Sequence, residues 1–275
     1  MGDCDIVVHP EDKERAHEVF LRLGFENKGQ QGHEWIYYKN DLAFELHHRL
    51  LYNERGNTEA SIAFCDQVWE YVKEKNGGWV LDRNFHYIFL LLHLHKHLIH
   101  MGIGFRQFMD LYAVASSVSL DWSWIDSQLE KMGLLEFSRR CTHLTECWFK
   151  GVEMTERDIH CFQQVLQNGV FGYHNESNRK NRKADILLLA KGPHWLTRLH
   201  NLLRSIFPTY EKIRYLEYCR ALNGRPWLLP FFWVYRWIRA VRFRMFGKVK
   251  RVVDETLVSN QELEERRREL SFWDL

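Results

Sequence analysis

Proline is scarce in this chain, at five in 275 residues, which excludes long rigid linkers and leaves most of the sequence to pack as helix or strand. Cysteine occurs six times, at Cys4, Cys65, Cys141, Cys147, Cys161 and Cys219. None forms a CxxC pair or a framework spacing, so a disulfide-stapled scaffold is excluded and reduced thiols in a cytoplasmic setting are expected. No signal-peptide pattern opens the sequence: Met-Gly-Asp-Cys-Asp carries acid where such a peptide needs a basic region and an apolar run. With 45% hydrophobic and 27% charged residues, disorder and collagen-like structure are excluded as well. What is abundant is aromatic: 15% of the chain, including 11 Trp.

The chain also lacks a large net charge, but the formal +2 conceals a division. Residues 179–250 hold 17 Lys/Arg against 3 Asp/Glu, a balance of +14; residues 251–275 carry −3 and residues 1–178 carry −9. An acidic front suits metal binding, and a basic rear suits a polyanion such as a nucleotide, nucleic acid or anionic lipid, or simply faces solvent. Within residues 226–246, large apolar side chains alternate with Arg236, Arg239, Arg242 and Arg244, and only residues 226–235 are free of charge. That is far short of the roughly 20 apolar residues a spanning helix needs, so no transmembrane segment is expected. Three readings remain: a core helix with snorkelling arginines, a peripheral membrane contact, and a polyanion contact.

Residues 3–8 read as a short strand closed by His9-Pro10, and Pro10-Glu11-Asp12 open a helix that Gly24 ends. Residues 34–38 and 42–47 then read as a hairpin joined by Lys39-Asn40-Asp41. From about residue 60 the pattern is helical almost to the end, with breaks at Asn76-Gly77-Gly78, Gly102, Gly133 and later glycines and prolines. The predicted class is α+β: a small mixed sheet in residues 1–55, a larger helical domain in 56–250, and a charged solvated helix or tail in 251–275.

Chemistry is suggested first by carboxylates. Alternation puts Asp3 and Asp5 on one face of the first strand, with Cys4 and Ile6 on the other. Like charges held that close call for a cation, and hard oxygen ligands favour Mg2+ or Mn2+. Glu45, flanked by Phe44 and Leu46, shares its strand face with Ala43 and His47. If its strand pairs beside the first, Asp3, Asp5 and Glu45 converge on one or two divalent ions, the arrangement phosphoryl transfer needs. Alternatively, the acids mark a charged strand end in water.

A helix from Asp82 to about residue 101 carries His86, His93, His97 and His100 on one stripe, with His95 opposite. His93 and His97, at i and i+4, have metal-ligand spacing, with Asp110 as a further ligand; the stripe equally suits a polar interface facing an active cleft. Lys96 and Arg106 are the cations suited to a phosphate, and Gly102 and Gly104 permit a tight reversal before Arg106.

Taken in order, Gly2-Asp3-Cys4-Asp5-Ile6-Val7-Val8, the Pro10-Glu11-Asp12 helix start, the hairpin and Phe44-Glu45-Leu46-His47 resemble the uncharacterised bacterial nucleotidyltransferase family of the DNA polymerase β type. The similarity continues through Leu92-His93-Leu94-His95-Lys96-His97, Gly102 to Gln107 and Asp110, and more faintly to Pro208 and Arg225-Pro226. It implies that Asp3, Asp5 and Glu45 bind two metals and that a nucleoside triphosphate is attacked at its α-phosphate by an unidentified acceptor, releasing pyrophosphate. It also favours site roles for His97, Arg106 and Asp110. The superfamily places a Gly-Ser loop and helix before the Asp-x-Asp strand, and this sequence begins two residues before Asp3, so weak activity of the chain as given is expected. Two other readings stand beside this one: a metal hydrolase centred on His93, His97 and Asp110, and a non-catalytic interaction protein that keeps the fold.

Overall fold

A strand of alternating polar and apolar residues needs one covered face, and the first 47 residues supply the cover themselves. In the computed structural model, β1 (Cys4–Val7) is followed by a 3-10 turn at Pro10–Asp12 and by α1 (Lys13–Arg22). Strands β2 (Glu26–Gln31), β3 (Glu34–Lys39) and β4 (Leu42–His47) then form a sheet of order β1-β4-β3-β2. β1 runs parallel to β4, and the other two pairings are antiparallel. Phe20 of α1 packs with Tyr37 and Leu46, and Ile6, Val8, Trp35 and Phe44 close around them. Helix α1 therefore covers the face that holds Ile6, Phe44 and Leu46, and by alternation Asp5, Glu45 and His47 lie on the opposite face. The structure describes residues 4–31, 34–54, 56–100, 102–117, 119–170, 172, 184–185, 187–188, 193–213, 217–222, 224–242 and 258–275.

Three strands depart from the sequence reading. β2 is polar (Glu-Asn-Lys-Gly-Gln-Gln) and carries no apolar alternation, so only its pairing with β3 reveals it. Residues 72–81, read as helix with a break, form a second hairpin, β5 (Val72–Lys75) and β6 (Gly78–Leu81). Its turn is Asn76-Gly77, both at positive φ (54° and 74°), the pair of left-handed residues a two-residue hairpin demands.

Helices make up most of the remainder. Thr58 caps α2 (Glu59–Asp66) with a capping box, and Asp82 Oδ1 accepts from the N–H groups of Asn84 (3.0 Å) and Phe85 (3.2 Å) at the start of α3 (Arg83–His100). α4 (Phe105–Ser117), α5 (Trp122–Met132), α6 (Leu135–Lys150) and α7 (Glu156–Gln167) follow. Further on lie α8 (His194–Ile206), α9 (Tyr210–Ile213), α10 (Leu229–Arg242) and α11 (Asn260–Ser271). The architecture is α+β, and all six cysteines are free thiols. No helix of the described residues is long and apolar enough to cross a membrane.

The chain divides into two compact units: residues 1–96 with 109–145, and residues 97–108 with 146–275. The first contains both sheets. In the second, the Gly102–Gly104 reversal packs backbone on backbone: Phe105 N–H donates to Gly169 O (3.2 Å) and Arg106 N–H to Val170 O (3.0 Å). α11, expected as a solvated helix or tail, buries Leu263 and Arg266, and Trp273 just beyond it is fully enclosed.

Candidate functional site

The parallel register of β1 on β4 sets Asp5 directly opposite Glu45 and Val7 opposite His47. Side chains of one face in neighbouring strands stand about 5 Å apart at Cβ, so the two carboxylates and the imidazole are forced together. His47 Nε2 lies 3.0 Å from Asp5 Oδ1 and 3.7 Å from Glu45 Oε2. One ligand atom from each of the three residues falls within 4.8 Å of the others. An ionised carboxylate can only accept a hydrogen bond, so Nε2 donates to Asp5. That bond holds the Asp5 carboxyl below the ordinary Asp value against the opposing effect of burial, with the charges of His47, His93 and Lys96 adding to the lowering.

Helix α3 contributes the rest of the electrostatics within this unit. Burial drives the His93 imidazole below its usual value, opposed by the attraction of Asp5 and, more weakly, of Asp110. Lys96 Nζ pairs with Glu54 at 3.7 Å while its charge also reaches Asp5. His86 is likewise lowered by burial, with Asp110 opposing. His95, on the other side of the helix, is buried edge-on against Phe137, with ring centroids 5.4 Å apart.

The structure thus brings together Asp5, Glu45 and His47, and couples them electrostatically to His93 and Lys96. Asp3 lies outside the described residues. His97 and Arg106 belong to the second unit, where Arg106 is exposed. His47 is the residue that sequence reasoning left out of the site. Its signal was present, since it stands two residues after Glu45 on the same strand face.

Two hard oxygen donors and one imidazole, converging on a partly open face, suit a divalent cation. The model of one protein family, described as an uncharacterised nucleotidyltransferase, matches residues 1–150, more than half of the chain. The chain belongs to this nucleotidyltransferase family. No curated protein and no solved structure matches it. The family match spans both β1 and β4 and continues through α3 and α4 to the end of α6.

Proposed function

We propose that this family member transfers a nucleotidyl group from a nucleoside triphosphate to an acceptor, using Mg2+ or Mn2+ held by Asp5, Glu45 and His47, in the manner of the DNA polymerase β type. The observation that carries the reading is the register of β1 on β4, which makes Asp5 and Glu45 direct neighbours. Asp3 joins them on the strength of the Asp-x-Asp spacing alone. When bound, a divalent ion neutralises phosphate oxygens and eases deprotonation of an acceptor hydroxyl.

The chain's own residues have distinct tasks. Asp5 stays ionised because His47 donates to it, and Glu45 supplies the second carboxylate from the facing strand position. His47 fixes the orientation of Asp5, and its Nε2 must give up a proton before that nitrogen can bind a cation. Lys96, restrained by Glu54, offers a point charge to a triphosphate. His93, whose imidazole is pushed below its usual value by burial, offers a hydrogen bond.

The reading is tested by Mn2+ binding, followed through the electron paramagnetic resonance of the free ion, for the full chain and an Asp5→Asn/Glu45→Gln variant. Affinity is expected to fall by at least about tenfold in the variant, in line with losses on perturbing metal-binding residues. In parallel, labelled nucleoside triphosphates with a cell extract as acceptor source should give product that drops about 10²-fold or more in the variant. Zinc bound stoichiometrically through purification, with Mn2+ affinity unchanged by the variant, would overturn it.

A further inference from the structure

Helices α8 and α10 both contain arginine and neither contains an Asp or Glu. Each is amphipathic in the usual sense, with apolar residues recurring at three and four positions. What is unusual is where the apolar stripes point. In α8, Trp195, Leu199 and Leu203 recur every fourth residue with Leu196 beside them, and all four are exposed, Trp195 at 64%. In α10, Phe232 and Leu229 pack inward against Ile213, Cys219 and Leu222, while Phe231 and Ile238 are 68% and 60% exposed and Val234 lies between them, also exposed.

The two helices adjoin. The Phe207 ring, one residue past α8, lies 5.2 Å from the Trp233 ring and 5.1 Å from the Trp237 ring, centroid to centroid. Trp237 Nε1 donates to Ile206 O at 3.3 Å. These helices thus expose ten large apolar or aromatic side chains, more than the scattered single exposures of an ordinary surface.

Charge decides what fits there. Arg204 and Arg242 are exposed at the C-terminal ends of these helices, within a stretch carrying +14 over residues 179–250. A second copy docked on this face would have to bring the exposed Arg204 and Arg242 near like charges with no acidic residue on either helix to offset them, which disfavours association. Nucleic acid would satisfy the arginines and could stack on Trp195 and Phe231, but the exposed Leu196, Leu199, Leu203, Val234 and Ile238 that make up most of these stripes offer bases neither a stacking plane nor a hydrogen bond. An anionic bilayer surface supplies both complements: phosphate headgroups for Arg, and the headgroup–acyl boundary for Trp, Phe and Leu. Helices of 13 and 14 residues are too short to span, since about 20 residues are required, so they lie along the interface.

We infer that the α8–α10 face is a docking surface for anionic membrane lipid, with Trp195, Leu199, Leu203, Phe231 and Ile238 entering the interface and Arg204 and Arg242 meeting headgroups. This does not depend on the nucleotidyl-transfer reading.

The experiment is co-sedimentation of the full chain with phosphatidylcholine vesicles, with and without phosphatidylserine. Binding is expected only with phosphatidylserine and should weaken as salt rises. The variants Leu199→Glu/Leu203→Glu and Phe231→Glu/Ile238→Glu should each lose at least about tenfold in affinity, with unchanged far-ultraviolet circular dichroism. Quenching of the unmodified chain's tryptophan fluorescence by vesicles with brominated acyl chains is an independent readout, expected to be strong. Absence of vesicle binding and quenching would overturn the inference. So would a dimer, seen by light scattering, that these variants split, or binding to single-stranded RNA that the same variants abolish while vesicle binding stays unaffected.

Discussion

Arg266 offers the sharpest test of how the second unit is held together. It is 5% exposed on α11, and its guanidinium forks onto Asp185, Nε to Oδ1 at 2.8 Å and Nη2 to Oδ2 at 3.0 Å. Nη2 also donates to Leu98 O at 3.0 Å, and Nη1 to Glu269 Oε2 at 2.9 Å. Substituting Arg266→Met keeps much of the apolar stem but strands the Asp185 carboxylate, itself buried. Breaking one side of a buried pair costs about 3–5 kcal/mol, because the remaining charge keeps its desolvation penalty and loses its partner. The Glu269 arm adds little, since that side chain is 38% exposed and such pairs contribute about 0–1 kcal/mol.

The cost should depend on pH. Burial already pushes the Asp185 carboxyl up to about 6, with the Arg266 hydrogen bonds opposing. Without Arg266 the carboxyl rises further, so the folded variant takes up a proton that the unfolded chain, at an ordinary Asp value, does not. Proton uptake on folding favours the fold as pH falls, so the deficit should shrink between pH 7 and pH 5. Hydrogen exchange of peptides from α11 is the suitable assay, because two units need not unfold as one transition. The double variant Asp185→Leu/Arg266→Met should recover most of the loss. A single variant within about 1 kcal/mol of the unmodified chain, or a double variant no better than the single, would refute the reasoning.

Gly104→Ala should destabilise the second unit by more than about 2 kcal/mol in denaturant titration, because its Cβ would meet the Gly172 nitrogen and lie 2.5 Å from Val170 O. Because burial lowers His93, the unfolded chain takes the proton first. Its contribution is present above the ordinary His value and is lost as pH falls from there through the lower folded value, so His93→Gln should flatten the acid-side decline, by at most about 1.4 kcal/mol per pH unit for one proton. His47→Gln should weaken Mn2+ binding by about tenfold or more at fixed pH, read by titration of the free ion's electron paramagnetic resonance.

Much of the front half was legible because period-2 alternation is local. It placed Asp5 and Glu45 on the sheet face opposite Ile6, Phe44 and Leu46, and the structure adds that their strands are parallel neighbours in direct register. β2 was not legible, since a polar strand at the end of the sheet carries no periodic signal of its own. The Asn76-Gly77 turn was misread as a helix break, although Asn-Gly is the strongest short hairpin signal. The roles of Arg266 and Asp185 lie further from reach. They are 81 residues apart, and nothing in a run of Glu and Arg distinguishes the one arginine that turns inward. The apolar stripes of α8 and α10 were readable as periodicity, but periodicity reports that a face is apolar and not whether anything in the chain covers it.

His47 makes the paired acids compatible with the fold. Asp5 and Glu45 face each other across a strand pair, an arrangement that like-charge repulsion disfavours. The imidazole relieves it by standing 3.0 Å from one carboxylate and 3.7 Å from the other, while the charges of His93 and Lys96 act on Asp5 from α3. If the proposed divalent ion binds here, it and a proton on His47 Nε2 are alternative ways of satisfying the same two carboxylates. Under the proposed reading, the ion replaces the proton on Nε2, which must leave that nitrogen for ligation. That exchange follows from a histidine two residues beyond Glu45 on a strand, a spacing that puts both side chains on one face and leaves the sheet register to bring Asp5 to them.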